Sequence, residues 1–279
     1  MNHAVGPLQE TNRRAGFCVA FEVWQIVIFS EALVLGIRAY ATGDVELAPA
    51  EILPEVFTER DQIFISQFIG QVGNRAIGER LHVDAGMDRA RIAAALVLTA
   101  PFIPMLFQGE EWAASTPFQY FADHEDEEMR AAVAEGRRME FSHFGFGGDV
   151  PNPEDIETFD RSKLDWNEVH EGKHGEMLEW TKSLIALRRS TISLNDGSMH
   201  EMIVATDEDR KTLVLERCEV RVLANLGKQA CSFDLLEGEE LKLASRPEIQ
   251  TNGGSLELPA LSLAVLISPM EMAENRRMS

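Results

Sequence analysis

The spacing of apolar residues changes character once along the chain, near residue 199. Before that point apolar positions recur at helical spacing, broken by two short apolar runs; after it they alternate. Ile63-Phe64-Ile65-Ser66-Gln67 is a short β-rich run. Gln71-Val72-Gly73-Asn74-Arg75 is a glycine-bearing loop, and Asp88 to Thr99 is an alanine- and leucine-rich helix. That helix is apolar on nearly every side (Ile92, Ala93, Leu96, Val97), which suits packing against a sheet with little surface left to solvent. Pro101 ends it, and Ile103 to Gln108 is a second apolar strand running into Gly109-Glu110-Glu111-Trp112. Strand, helix and strand form a βαβ unit, so the two strands are expected to be parallel. In parallel sheets the chemistry sits in loops beyond the strands' carboxyl ends, here 68–80 and 109–121. Both are dense in Gly, Gln, Asn, Arg, Glu and aromatics, the composition of binding loops.

Downstream, His124 to Phe141 begins acidic, turns basic, and carries a helical pattern through Met129, Ala132, Val133 and Met139. His124 stands among Asp123, Glu125 and Asp126, residue types that can ligate a metal. Acids at a helix N-terminus account for them without one, and no metal is expected. Ser142 to Glu154 reads as a long loop around Phe144 and Phe146, of the sort that is usually functional. Gly175 to Arg189 is an amphipathic helix whose Met177, Trp180, Leu184 and Leu187 read as core rather than as a sugar platform. Beyond Met199 come short strands at Met202-Ile203-Val204, Thr212 to Leu215, Val220 to Leu223, Cys231-Ser232-Phe233, Leu241-Lys242-Leu243 and Leu261 to Leu266. Turn signals at Asp207, Asn225-Leu226-Gly227 and Asn252-Gly253-Gly254 separate them, which predicts a small antiparallel sandwich.

The start of the chain is different. Phe17 to Ile37 is strongly apolar and follows Arg13-Arg14, as a signal anchor or membrane helix would. Glu22, Gln25 and Glu31 interrupt it, and a charge at the centre of a spanning helix costs roughly 2.5–3.5 kcal/mol. On a helix Glu22 and Glu31 lie about 180° apart, so no single protected face holds both. A buried helix or strand is expected there, not a membrane span. Ala41 to Arg60, with Gly43, Pro49 and Pro54, reads as a connecting loop.

Composition narrows the function classes. A net charge of -20 argues against nucleic acid, which requires clustered Lys and Arg. Cys18, Cys218 and Cys231 are odd in number and lack metal-ligand spacing, which fits buried thiols in a reducing, cytoplasmic compartment. Gly70-(two residues)-Gly73 lacks the third glycine and the Lys of a phosphate cradle. No serine nucleophile elbow appears, and no cofactor is implied.

The residues beyond both strands also carry a family resemblance. Gln67-(three residues)-Gln71-Val72-Gly73-Asn74-Arg75-Ala76-(one residue)-Gly78-Glu79-Arg80-Leu81 resembles the last catalytic-strand motif of the malto-oligosyltrehalose trehalohydrolases, which are α-amylase-type glycoside hydrolases. Leu106 to Trp112 resembles the end of that family's eighth barrel strand, and Pro117 to His124 the loop that follows. Glu135-Gly136-Arg137-Arg138 and Ser162-Lys163-Leu164-Asp165-Trp166 continue the match in order, over roughly Ala39 to Pro269. The resemblance implies α/β plus all-β architecture: an incomplete (β/α) TIM-type barrel fragment followed by a small antiparallel β-sandwich. The expected divisions are an atypical N-terminal segment 1–40, the C-terminal part of a (β/α)8 barrel at 41–192, the sandwich at 199–269 and a loose tail 270–279. A full barrel takes about 250 residues, so this one is expected not to close, and its exposed strand edges would invite association.

The family motif has Asn-His-Asp where this chain reads Phe68-Ile69-Gly70, so Gly70 occupies the position of the transition-state-stabilising Asp. The family's nucleophile Asp and acid Glu belong to earlier barrel strands and find no match here. No catalytic residue is therefore assigned. The resemblance makes Gln67, Gln71 and Arg75 substrate-site candidates. Glu110, Trp112 and Phe118 are candidates for direct sugar contact; the alternative for Glu110 is a bond to loop backbone or to Arg75. Glu110 and Glu111 do not make a ready acid pair, because neighbouring strand residues point to opposite faces. Two functions stay open: a truncated or degenerate trehalohydrolase-like enzyme, inactive alone, or a non-catalytic carbohydrate-binding or subunit-like module. Either takes a malto-oligosaccharide ligand.

Overall fold

Two parallel strands open the described part of the chain. The computed structural model describes residues 63–65, 72, 73, 75–143, 149–196 and 202–270. The readings of 1–60, of Gln67, Gly70 and Gln71, and of 271–279 lie outside them. β1 (Ile63–Ile65) pairs in parallel with β2 (Ile103–Met105), register Phe64 to Pro104. Between them run a short helix α1 (Leu81–Ala85) and the predicted crossover helix α2 (Met87–Thr99). Gly86 at φ 87° separates the two helices, and Asp88 in the first turn of α2 both suits the helix N-terminus and pairs with Arg246 at 2.7 Å.

α2 ends before Pro101, with Ala100 already extended. The carbonyls at its C-terminus are met from outside. Arg188 donates to the carbonyls of Leu98 (2.8 Å), Ala100 (2.9 Å) and Phe102 (2.9 Å). Arg188 sits near the end of α5 (Gly172–Ser190), which lies along α2; Trp180 of α5 donates its indole N–H to the Arg91 carbonyl at 3.0 Å. Between α2 and α5 the chain forms α3 (Glu127–His143) and the short α4 (Ile156–Arg161). Met177, Trp180 and Leu184 are buried, as the spacing predicted.

The carboxyl-terminal region is antiparallel, as expected. β3 (Met202–Asp207), β4 (Thr212–Arg217), β5 (Val220–Asn225), β7 (Glu240–Ala244) and β10 (Ser262–Ile267) form a five-stranded sheet in the order β3-β4-β5-β10-β7. β6 (Cys231–Asp234), β8 (Thr251–Asn252) and β9 (Ser255–Leu258) form a three-stranded sheet in the order β6-β9-β8. Successive strand residues point to opposite faces, and the large sheet uses both. Leu213, Leu215, Val220, Val222, Ala224, Leu263 and Val265 pack with Ile92, Leu96 and Leu98 of α2 and with Met177, Trp180 and Leu184 of α5. Their neighbours Leu223, Ala264 and Leu266 pack with Leu256 and Leu258 of the small sheet. The result is three layers: helices, large sheet, small sheet. No helix among the described residues is long and apolar enough to cross a membrane.

Candidate functional site

The two loops that follow the parallel strands meet and hydrogen-bond to one another. The chain leaves β2 at Met105, three residues short of the strand expected to reach Gln108. Gly109, at φ 81°, reverses it, and the turn is closed by the Glu110 N–H to Phe107 carbonyl bond at 2.8 Å. A side chain at Gly109 would meet Leu164 at 2.7 Å and Ala114 at 2.8 Å. On the other loop, Gly78 accepts from the Phe118 N–H at 2.8 Å, and Gln119 Nε2 donates to the Ile77 carbonyl at 3.3 Å.

Arg80 pins these loops together. It is fully buried; Nε donates to the Thr116 carbonyl at 2.6 Å and Nη1 to the Gln108 carbonyl at 2.8 Å. Its guanidinium stands 5.8 Å over the Phe107 ring. Burial lowers its pKa, while Glu110, Glu111 and Glu168 nearby favour the charged form. Glu110 is 4% exposed, and its Oε2 accepts from the Phe107 N–H at 2.9 Å. Burial, reinforced by Glu111, pushes its carboxyl up to about 8, against the pull of the Phe107 N–H and Arg80. It is therefore mostly neutral at pH 7. His82 is pushed down to about 4 by burial and by Arg80 and His174, and is neutral there as well.

Trp112 is buried and donates its indole N–H to Glu168 Oε1 at 3.3 Å; the same oxygen accepts from the Ser115 N–H at 2.8 Å. Burial works against an ionised Glu168, but Ser115, His174 and Trp112 together hold its carboxyl below the usual range. His174 Nδ1 lies 3.1 and 2.9 Å from the carbonyls of Trp112 and Ala113. Arg75 pairs with Asp84 and, at 3.6 Å, with Glu79. Below it, Arg137 donates to the carbonyls of Gly73 (2.6 Å) and Arg75 (3.0 Å) and lies 4.9 Å over the Tyr120 ring.

Of the residues named from sequence, Arg75, Glu110, Trp112 and Phe118 thus fall on these two interlocked loops. Glu110 binds loop backbone, one of the two alternatives. Gln67 and Gln71 lie outside the described residues. His124 hydrogen-bonds through Nδ1 to Glu154 at 2.6 Å. Among the described residues, no group of three or more His, Cys, Asp or Glu could hold a metal.

Beside the loops lies an open groove of about 440 Å³, lined by Gln108, Phe118, Phe121, Phe159, Ser162, Lys163, Leu164 and Trp166. A run of ring contacts builds it: Phe107 on Phe118 at 5.1 Å, Phe118 on Phe121 at 5.7 Å, and Phe121 on Phe159 at 5.1 Å. At the other end Trp166 leans on Trp112, centroids 5.1 Å apart. Among the described residues, no carboxylate lines the groove. The sequence reading gave no role to Arg80 or Trp166, although both lie inside the matched motifs. Phe159 sits in a short acidic helix and left no signal.

No family model matches the chain. Individual proteins do. The chain is 43% identical over 205 residues to the malto-oligosyltrehalose trehalohydrolase of Rhizobium sp. (strain M-11), covering 73% of this chain and 34% of that protein. It is 42% identical over 218 residues to the enzyme of the same name from Brevibacterium helvolum, covering 78% and 37%. A crystal structure of a Salmonella typhimurium protein assigned as an α-amylase superposes with a TM-score of 0.65 at 28% identity, covering 85% of this chain and 46% of that one. The chain spans about a third of the length of the curated relatives it matches. By this sequence similarity the chain resembles about a third of a malto-oligosyltrehalose trehalohydrolase, and its fold resembles that of an α-amylase-type protein.

Proposed function

We propose that this chain supplies the closing β/α units and the following β domain of a trehalohydrolase-type glycoside hydrolase, and that alone it binds malto-oligosaccharide without cleaving it. The family reaction is hydrolysis of the α-1,4 glucosidic bond of maltooligosyl trehalose, releasing trehalose. In this reading 41–192 is the carboxyl-terminal part of a (β/α)8 barrel, 199–269 the β-sandwich, 1–40 an atypical leading segment and 270–279 a tail. The protein works in the cytoplasm, and the edges of the partial barrel are its surface for association.

The observation that carries the reading is the parallel β1–β2 pair whose carboxyl-end loops are locked together through Arg80. That is the end at which barrel enzymes build their sites. Gly70, at the position of the stabilising Asp, argues against chemistry by this chain on its own. The exposed rings of Trp166 and Phe159 favour the second reading, a carbohydrate-binding module, and the two readings share their ligand.

The test incubates the purified chain with maltooligosyl trehalose, alone and mixed with the part of the Rhizobium relative that this chain does not match. No trehalose is expected from the chain alone. Trehalose is expected from the mixture once Gly70→Asp restores the third carboxylate. Turnover by the chain alone, or none by the complemented mixture, refutes the reading.

A further inference from the structure

We propose that Asn252 is a site of spontaneous covalent modification: its side-chain amide is displaced by the Gly253 nitrogen, leaving aspartate or isoaspartate in the turn between β8 and β9. The inference is independent of any carbohydrate ligand, because it concerns the chemistry of one exposed hairpin. Asn252-Gly253 is the one Asn-Gly pair in the chain. The residue after the asparagine supplies the attacking nitrogen, and glycine, lacking a Cβ, leaves that nitrogen unhindered and free to turn. A Cβ built at Gly253 or Gly254 would meet nothing within 4 Å, so the turn stands in open space.

The structure sets Asn252 apart from the other described asparagines. Asn152 Nδ2 donates to Asp155 at 2.9 Å, and Asn167 Nδ2 donates to Asp165 at 2.9 Å. Asn195 Nδ2 donates to the carbonyls of Arg188 and Thr191. Asn225 Nδ2 donates to those of Gln229, Leu258 and Pro259. Each of these amides is held in place. The Asn252 side chain is exposed and has no such bond among the described residues. The Gly253 N–H likewise donates to no carbonyl among them. Electrophile and nucleophile are adjacent, both are wet, and neither is occupied.

In the closed hairpin Asn252 is extended and pairs with Ser255, and Gly253 at φ 56° and Gly254 at φ 90° turn the chain between them. Ring closure requires Asn252 to leave the extended conformation. β8 is two residues long, exposed, and at the edge of the order β6-β9-β8, so its opening is local and costs little. The Gly253 nitrogen, its proton given to hydroxide, then attacks Asn252 Cγ. A C–N bond forms, the Cγ–Nδ2 bond breaks, and ammonia leaves with a proton taken from water. The cyclic imide takes up one water. Opening at Cγ gives aspartate. Opening at the backbone carbonyl gives isoaspartate, in which the main chain runs through Cγ and is one carbon longer. Either product adds a negative charge, and isoaspartate breaks the register of Thr251 on Leu256 and of residue 252 on Ser255.

The test incubates the purified full chain at neutral and at mildly alkaline pH, digests it, and follows the peptide holding Asn252 by mass spectrometry. Isoaspartate is counted by methyl transfer from S-adenosylmethionine with a protein isoaspartate methyltransferase. The expected result is a gain of one mass unit at Asn252, faster at the higher pH. It should outrun the other described asparagines by about tenfold or more, equivalent to about 1.4 kcal/mol of barrier. Asn252→Gln is expected to abolish the methyl-accepting signal, because the longer side chain closes its ring poorly. Ser255→Ala removes the hydroxyl bond to the Asn252 carbonyl at 3.0 Å and is expected to speed the reaction by loosening the hairpin end. An Asn252 peptide that keeps its mass, an earlier change at another described asparagine, or a methyl-accepting signal that survives Asn252→Gln overturns the site. A rate unchanged in Ser255→Ala overturns the opening of the hairpin as its gate.

Discussion

A buried carboxyl that keeps its proton is a stability device with a sign. Glu110 is pushed up to about 8 when folded, from an ordinary value near 4.5. Between those two values the folded chain holds a proton that the unfolded chain releases. Its contribution is fully present below about 4.5 and is lost as pH rises through about 8. Glu110→Gln keeps an acceptor for the Phe107 N–H and cannot ionise. It is expected to raise stability at pH 8 by an amount on the order of a few kcal/mol, and to flatten the decline between pH 5 and 9. Urea titrations across that range check both; an unchanged slope in the variant would show that Glu110 does not titrate as placed. His82 works the other way. Held down to about 4 from 6.5, it contributes stability above 6.5 that is lost as pH falls towards 4. Neither shift was legible from sequence. Glu110 could be placed at the end of a strand, but its burial comes from tertiary packing that no local pattern shows. The strand also ends at Met105, so the opposite-face argument for Glu110 and Glu111 does not hold: both lie in a turn.

Loops and helices lock through backbone, and this sets the cost of changing them. Gly78, at φ 72°, lies so close to the other loop that an added Cβ would stand 2.8 Å from the Gln119 N and closer still to the Phe118 carbonyl. Both the dihedral and the space require glycine. Gly78→Ala is expected to lower stability by about 1–3 kcal/mol and to loosen the groove, read as a reduced urea midpoint and weaker maltohexaose binding. At the other end of α2, Arg188→Met would strip donors from three carbonyls at once. Burial, and after it the close charge of Arg217, bring Arg188 down to about 10, which offsets part of that cost. A net loss of about 1–3 kcal/mol with an unchanged denaturant slope is the expected outcome. Elements of this kind were read well where one periodicity rules: α2, α5 and most strands fall within a few residues of expectation. β8 and β9 were missed because Thr251–Asn252 and Ser255–Leu258 are short and carry few apolar residues; the turn read at Asn252-Gly253-Gly254 is there, as the bend of their hairpin. The third layer was not legible either. Ser262–Ile267 reads as a continuous apolar run, and such a run says that both faces are covered without saying by what.

At the scale of the whole molecule the question is whether the described structure has rebuilt the acid pair that the resemblance finds missing. A retaining glycosidase needs two carboxyl groups roughly 5–5.5 Å apart across the scissile bond, one ionised and one able to give a proton. By the resemblance read from sequence, Gly70 would stand at one of the family's three carboxylate positions, and the other two find no match in these 279 residues. Glu110 and Glu111 are the substitutes nearest in sequence. Glu110 is 4% exposed and bound to the Phe107 N–H, and it holds its proton to about 8, so it makes a poor nucleophile at neutral pH. Glu111 has Oε2 buried without a hydrogen-bond partner. Among the described residues no carboxylate lines the groove, so it offers nothing to attack a sugar. Losing a group that stabilises developing charge costs on the order of a thousandfold in rate, and losing the nucleophile as well removes the covalent route. The chain alone is therefore expected to release no trehalose from maltooligosyl trehalose above a heat-killed control, and Gly70→Asp alone is expected not to rescue it. If the unaltered chain does turn over, Glu110→Gln and Glu111→Gln decide the matter. Loss of that activity in either variant would mean that the buried pair opens onto substrate, contrary to the geometry described for it.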